Sequence, residues 1–339
     1  MTSARFALPL LLAVLTCLGV SLAGAPPEEP TPEEKAVQFL AREVPRWPAE
    51  HGCYSCHNNG DAARALYLAV RKNYQVPTEA LRSTTDWLVR PAEWDDNGGN
   101  GVFDDRTLAR IQFASALLSS REAGLSDDSD ALHRASNLVA EDQSPDGSWR
   151  LDASGSIGSP ATYGRFLATW AARRVLQAAA SDRFEPALAR SDRWLREVEV
   201  KTVLDAAAVI LALDHQADTE AAEQRRHCLE LLVSGQAPSG GWGAYLSSAR
   251  EPFDTAVVLL ALTLLSEEPK LAEPLSEAGL KEAIRTGRAF LLQRQLPDGS
   301  WPETTRPAGQ LSYAQYISTT GWATIALLAT RPKFRSLIN

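Results

Sequence analysis

Six stretches of the chain read as helices that sit deep in the fold: 61–73, 105–120, 161–179, 200–213, 253–268 and 316–330. Several are apolar nearly all round, most clearly Thr255 to Leu265. A helix without a polar face has to be covered on every side. Between them run amphipathic segments such as SDALHRASNLVAE, with a charged outer stripe. Alternation of the two kinds predicts an all-α fold of six helical hairpins, (α/α)6, with an inner ring of helices inside an outer one. Sustained period-2 alternation is lacking, so strands are not expected.

A repeat supports the hairpin count. Gln143-SPDGS-Trp149, Gln236-APSGG-Trp242 and Gln295-LPDGS-Trp301 are alike, and each follows an apolar helical segment. Leu138, Leu231 and Phe290 mark those segments; Phe39, Trp87 and Trp194 fill the same place in the other three. The distance from Trp194 to Leu231 is only 37 residues, which raises the prospect of a gap in the ring at the fourth repeat. The Gln and Trp side chains are read as caps and staples of helix ends.

The first residues, MTSARFALPLLLAVLTCLGVSLAGA, have a positive flank at Arg5, an apolar core and the small-residue site Ser21-Leu22-Ala23. They read as a secretory signal over 1–23, followed by a Pro/Glu-rich linker over 24–34 and the helical domain over 35–333. Thr31, Pro32 and Glu34 can start the first helix by capping. The expected location is secreted or periplasmic, with no membrane span after cleavage. Net charge is −8 and no basic run occurs, so nucleic acid is not an expected partner.

The segment His51-Gly-Cys-Tyr-Ser-Cys-His-Asn-Asn-Gly-Asp61 carries the candidate chemistry. C-x-x-C-H is the attachment signature of a c-type haem, which predicts thioethers at Cys53 and Cys56 and His57 as the haem-iron ligand. A Cys53–Cys56 disulfide or dithiol pair is a second reading. A zinc site of His51, Cys53, Cys56 and His57 is a third. The chain's single methionine is Met1, so a His/Met ligand pair is excluded in a processed chain. His133 and His227 read as surface residues of outer helices. Asp95-Asp-Asn-Gly-Gly-Asn-Gly101 has the look of a calcium loop, but Arg106 replaces its terminal glutamate. Asp127-Asp-Ser-Asp130 reads as a helix cap.

The Gln–Trp loops resemble the Q-W repeats of squalene–hopene cyclases. FDTAVVLLALTLL is similar to the cyclase helix that carries the catalytic acid, and YISTTGWATIALL to the closing helix. The likeness covers roughly 35 to 330 and implies the α/α toroid shared by triterpene cyclases and prenyltransferase β subunits. The resemblance also implies an acid motif, D-x-D-D-T-A, at Glu251-Pro-Phe-Asp-Thr-Ala256. Phe253 stands where the proton donor belongs, and a phenyl ring has no proton to give.

The leading expectation is therefore an exported toroid that is not a working cyclase. It carries haem c at the cavity mouth, binds an apolar, isoprenoid-like small molecule, and has a redox protein as a further partner. Tyr163, Phe166, Trp170, Phe253, Tyr316 and Trp322 are the candidate cavity lining. One alternative is a divergent terpenoid cyclase with Asp254 or Glu251 as acid. Another is a non-catalytic scaffold for protein partners.

Overall fold

In the computed structural model the described residues are 29–99, 105–151, 159–214, 216, 218–268, 271, 275–304 and 311–331. The signal expected over 1–23 lies outside them, as do linker residues 24–28, residues 100 and 101 of the Asp95 loop, and His215. Thr31–Asn339 forms one compact unit. All regular structure among the described residues is helical. None of these helices is long and apolar enough to cross a membrane.

Outer helices are α1 (Pro32–His51), α3 (Thr78–Leu88), α5 (Ser129–Glu141), α7 (Glu185–Glu197), α9 (Thr219–Gly235) and α11 (Glu277–Arg294). Inner helices are α2 (Ala63–Arg71), α4 (Arg106–Glu122), α6 (Ser159–Ala178), α8 (Val203–Ala212), α10 (Pro252–Glu267) and α12 (Tyr313–Ala329). Each inner helix packs on the next, and α12 returns to α2. The six anchor residues fall one on each outer helix. The ring has no gap at the short fourth repeat, because α8 packs on both α6 and α10. Its ten residues are almost all buried Ala, Val, Ile and Leu, so a close fit replaces the missing Gly–Trp loop.

Local signals set the helix starts. Thr31 and Glu34 form a reciprocal capping box at α1, which satisfies two otherwise orphaned N–H groups. Asp128 accepts from the Ala131 amide at 2.8 Å and caps α5, which accounts for the Asp127–Asp130 cluster. Asp95 is held by the Arg110 guanidinium, so its carboxylate already has a cation.

The three Gln–Trp loops are built alike. Trp149, Trp242 and Trp301 donate their indole N–H to the carbonyls of Val139, Leu232 and Leu291 at 2.6, 2.7 and 2.8 Å. Their amides donate to Thr169, Thr255 and Thr320 on inner helices. Gln143, Gln236 and Gln295 donate to the carbonyls of Ala187, Ala283 and Pro32, each on the next outer helix. Each loop therefore ties one inner helix to two outer ones, and the third ties the last repeat to the first.

Asp146 lies in the first of these loops. Burial alone would raise its pKa, but hydrogen bonds from Arg150 and Ser148 and the charge of Arg165 outweigh burial and hold it at about 2. A carboxyl depressed below its unfolded value of 3.8 stabilises the fold above that value. This contribution is lost as pH falls toward 2. The partial exposure of the loop leaves roughly 1 kcal/mol. Urea melts at pH 7 and pH 3 are expected to differ less for Asp146→Asn than for the wild type; equal acid sensitivity would show that this ion pair is not the source.

Candidate functional site

The C-x-x-C-H segment follows α1 and runs into a π-helical turn, Cys56–Ala62, that continues as α2. This turn packs between α4 and α12, so the motif lies where the inner helices begin. Its two asparagines explain why it folds there. Asn58 donates to the Glu43 carbonyl and to the Tyr313 hydroxyl at 2.9 and 3.0 Å. Asn59 donates to the Val44 carbonyl and to Thr84. Gly60 meets Gln112 so closely that a Cβ would stand 2.9 Å from the Gln112 Cβ.

Cys53 and Cys56 are both free and partly exposed. Around the Cys56 sulfur, burial and then the charge of Asp61 push the thiol up to about 12. His57 turns away from the lumen toward the seam of α1 and α12. Its ring meets Trp47 and Tyr313 edge-on, with centroids at 5.1 and 5.8 Å. Burial lowers its pKa to about 3, keeping the imidazole neutral. His57 Nε2 and Trp47 Nε1 are both shut off from solvent with no hydrogen-bond partner.

The two nitrogens thus sit unpaired in one aromatic cluster. The donor set fits a haem: two reduced thiols in C-x-x-C spacing and a neutral imidazole. It does not fit a metal cage, since among the described residues no three His, Cys, Asp or Glu side chains gather as a metal site. The zinc reading thus has no assembled ligand set. His51 packs on Trp47 at 4.0 Å, and His227 Nε2 lies 3.0 Å from the Val200 carbonyl on the outer layer.

The lumen is built separately. Trp322 of α12 is its centre, with Tyr163, Trp170 and Phe253 ring centroids at 5.8, 6.0 and 5.9 Å. Four of the six expected lining residues thus come together. Phe166 instead packs on Trp194 of the outer layer at 4.9 Å. Tyr316 sits by the last Gln–Trp loop, against Phe39 and with its hydroxyl on Ser300. Both belong to the walls because their positions on α6 and α12 face the neighbouring outer helices.

Asp254 is fully buried in the first turn of α10. Phe253 faces Trp322, and a helix turns about 100° per residue, so the two side chains of this pair point different ways. Glu251 is the half-buried residue before the helix and makes no side-chain cap.

The sequence reading missed the charged heart of the lumen. Asp61, fully buried, accepts from Gln112 Nε2 at 2.7 Å and from Ser318 Oγ at 2.9 Å. Arg64 Nη1 stands 3.4 Å from its other oxygen. Burial raises the Asp61 pKa, while Arg64, Ser318 and Gln112 pull it back down. The Arg64 guanidinium lies over Trp322 at 4.8 Å and Trp170 at 6.0 Å. Its Nη1 is 3.5 Å from the Tyr163 hydroxyl. The available signal was Asp-x-x-Arg inside a helix that is otherwise core.

Beyond Arg64 a cavity of about 330 Å³ opens at the other end of the ring. All six inner helices line it, with Leu68, Leu211, Leu260 and Ile325 among the apolar walls and Arg71 and Arg174 at the rim.

No protein-family model matches the sequence, and no characterised protein matches it by sequence. Solved structures do match by shape. The type II terpene cyclase MstE from Scytonema is 15% identical, with 88% of this chain and 98% of that one covered, at TM-score 0.54. A variant of that enzyme, in complex with its substrate geranylgeranyl dihydroxybenzoate, matches at 16% identity, 88% and 98% coverage and TM-score 0.53. A possible GH105-family member from Klebsiella pneumoniae matches at 11% identity, 94% and 98% coverage and TM-score 0.52. Identities this low carry the fold alone, and a toroid hosts unrelated chemistries. The chain is thus an α/α toroid similar in architecture to type II terpene cyclases.

Proposed function

We propose that this chain is an exported binding or redox toroid. Its lumen takes an apolar, isoprenoid-like ligand without cyclising it, and its C-x-x-C-H segment carries haem c. The observation that carries the non-cyclising reading is Arg64. Cyclisation started by a proton runs through carbocations, which aromatic faces in the lumen would stabilise. Here a guanidinium already occupies the faces of Trp322 and Trp170. A carbocation about 5 Å from that charge would be raised by about 3 kcal/mol at an effective dielectric of 20. Phe253 adds the second obstacle, a missing proton donor in line with the lumen.

The supporting case for haem is the pair of free thiols, the neutral His57 and the two orphaned nitrogens. Each thiol would add across one vinyl group of the porphyrin: sulfur bonds to one carbon and its hydrogen goes to the other, so no oxidant is consumed. The group would supply one-electron chemistry, with a redox protein as partner. Trp47 and Tyr313 would flank it, and the Asn58 and Asn59 hydrogen bonds would hold the turn that carries His57.

Incubation with squalene and with geranylgeranyl substrates is expected to give no cyclised product above buffer. Product formation that Asp254→Asn abolishes would replace this reading with the divergent cyclase.

A further inference from the structure

We infer that the lumen cavity holds a short amphiphile with one anionic head, a carboxylate or phosphate monoester, seated on Arg64 with its apolar tail running toward the rim. This rests on the reading that the lumen binds an apolar ligand, and it specifies that ligand.

The position of Arg64 is the starting point. It lies inside the continuous helical run Cys56–Arg71, more than a turn from either end, so no helix dipole accounts for a cation there. Arg71 and Lys72 end the same helix, where cations are ordinary dipole partners, so they carry no argument alone. Arg64 is 4% exposed, and its Nε is buried with no hydrogen-bond partner. Its single carboxylate contact, to Asp61, is 3.4 Å long, which leaves donors of the guanidinium fork for a further acceptor. Asp61 itself is occupied by Gln112 and Ser318.

The charges facing the cavity lean the same way. Arg64, Arg71, Lys72 and Arg174 line it against Glu122 and Glu267, with Asp61 behind Arg64. Glu122 is shared by Arg71 and Arg174, at 2.6 Å each, so that trio keeps a positive charge. The wall is mainly apolar, with Ser119 and Thr263 as its uncharged polar members. Arg64, Leu68 and Arg71 share one face of α2, and seven residues of helix rise about 10 Å. A cavity of about 330 Å³ packed at interior density holds roughly 12 to 15 non-hydrogen atoms. That is the size of a ten-carbon prenyl acid, well short of a triterpene. A bare inorganic anion would leave the apolar wall wet, and a neutral prenyl alcohol would leave the fork unmet.

The test uses the full chain after export and four probes: geranic acid, geranyl phosphate, geraniol and inorganic phosphate. Binding is read by calorimetry and by fluorescence of Trp170 and Trp322, which flank Arg64. Both acids are expected to bind at least about tenfold tighter than geraniol. Arg64→Gln is expected to bring that ratio close to one, and Arg64→Lys to keep part of it. Should Arg64→Gln fail to fold, the ranking on the wild type decides. Geraniol binding as tightly as the acids would overturn the anionic head and leave the apolar lumen standing. No binding by any of the three prenyl compounds would overturn both. Inorganic phosphate equalling geranyl phosphate would reduce the site to an ion site and overturn the tail.

Discussion

Produced with its leader in a host that matures c-type cytochromes, the chain is expected to leave the cell membrane as a red protein bearing one covalent haem. Cys53→Ser combined with Cys56→Ser is expected to abolish covalent attachment altogether. The mass of the mature chain is the measurement. It should exceed the polypeptide by one haem, survive denaturation and return to the bare polypeptide in the double variant. The competing readings give different masses and need different chemistry. A disulfide makes the chain two hydrogens lighter, and a dithiol redox pair needs an accessible thiolate. Zinc needs thiolates too. In the folded protein Cys56 is pushed up to about 12 by burial and the Asp61 charge, which suppresses the free thiolate that a dithiol redox pair requires. Addition of thiols to a porphyrin before folding is indifferent to that value. A neutral His57, by contrast, is the ligating form of imidazole. A colourless product with both thiols titratable in such a host would end the haem reading, leaving the toroid and its lumen untouched.

Residues carry different amounts of this information. The two-layer ring was legible because burial dictates composition. The inner helix Val203–Ala212 has no polar face, and the outer helices keep one. The capping box at Thr31 and the loops ending at Trp149, Trp242 and Trp301 were legible because local hydrogen-bond chemistry fixes them. The lumen was legible only in part. Aromatic identity marks Tyr163 and Phe166 equally. The helix breaks between them at Gly164, with φ +69° and ψ 165°, and the first meets Trp322 while the second meets Trp194. The direction of His57 was not legible at all, since the π-helical turn, which rotates it toward Trp47, depends on Asn58 and Asn59 reaching carbonyls of α1. Arg64 went unread for a related reason. An arginine three residues after an aspartate is ordinary on a surface helix, and only ring closure around α2 makes it a buried cation. Fold thus follows from periodicity, whereas the site follows from long-range contacts that periodicity does not encode.

Ring closure itself supplies the largest expected loss of stability. Gly299→Ala is expected to destabilise the protein by about 4 kcal/mol. Two causes act together. Gly299 has φ +97°, in the left-handed region where a Cβ is strained. A Cβ there would also collide with the Lys35 carbonyl and press on the Ala36 amide of α1. Those are backbone atoms in the first turn of a capped helix, so they cannot swing aside as a flexible side chain would. The collision would pull Gln295 from the Pro32 carbonyl, breaking the tie between last repeat and first. Gly124 provides the control. Its φ is +70° but nothing lies within 4 Å of the position its Cβ would take, so Gly124→Ala carries the backbone strain alone, about 1 kcal/mol. Urea denaturation of the two variants measures the difference. A loss for Gly299→Ala no larger than for Gly124→Ala would mean that the loop can lift off α1 freely and that the ring is held shut by the packing of α12 on α2. The Gln–Trp loop would then be a surface ornament of a closed core, and the repeat would have to be explained by something other than closure.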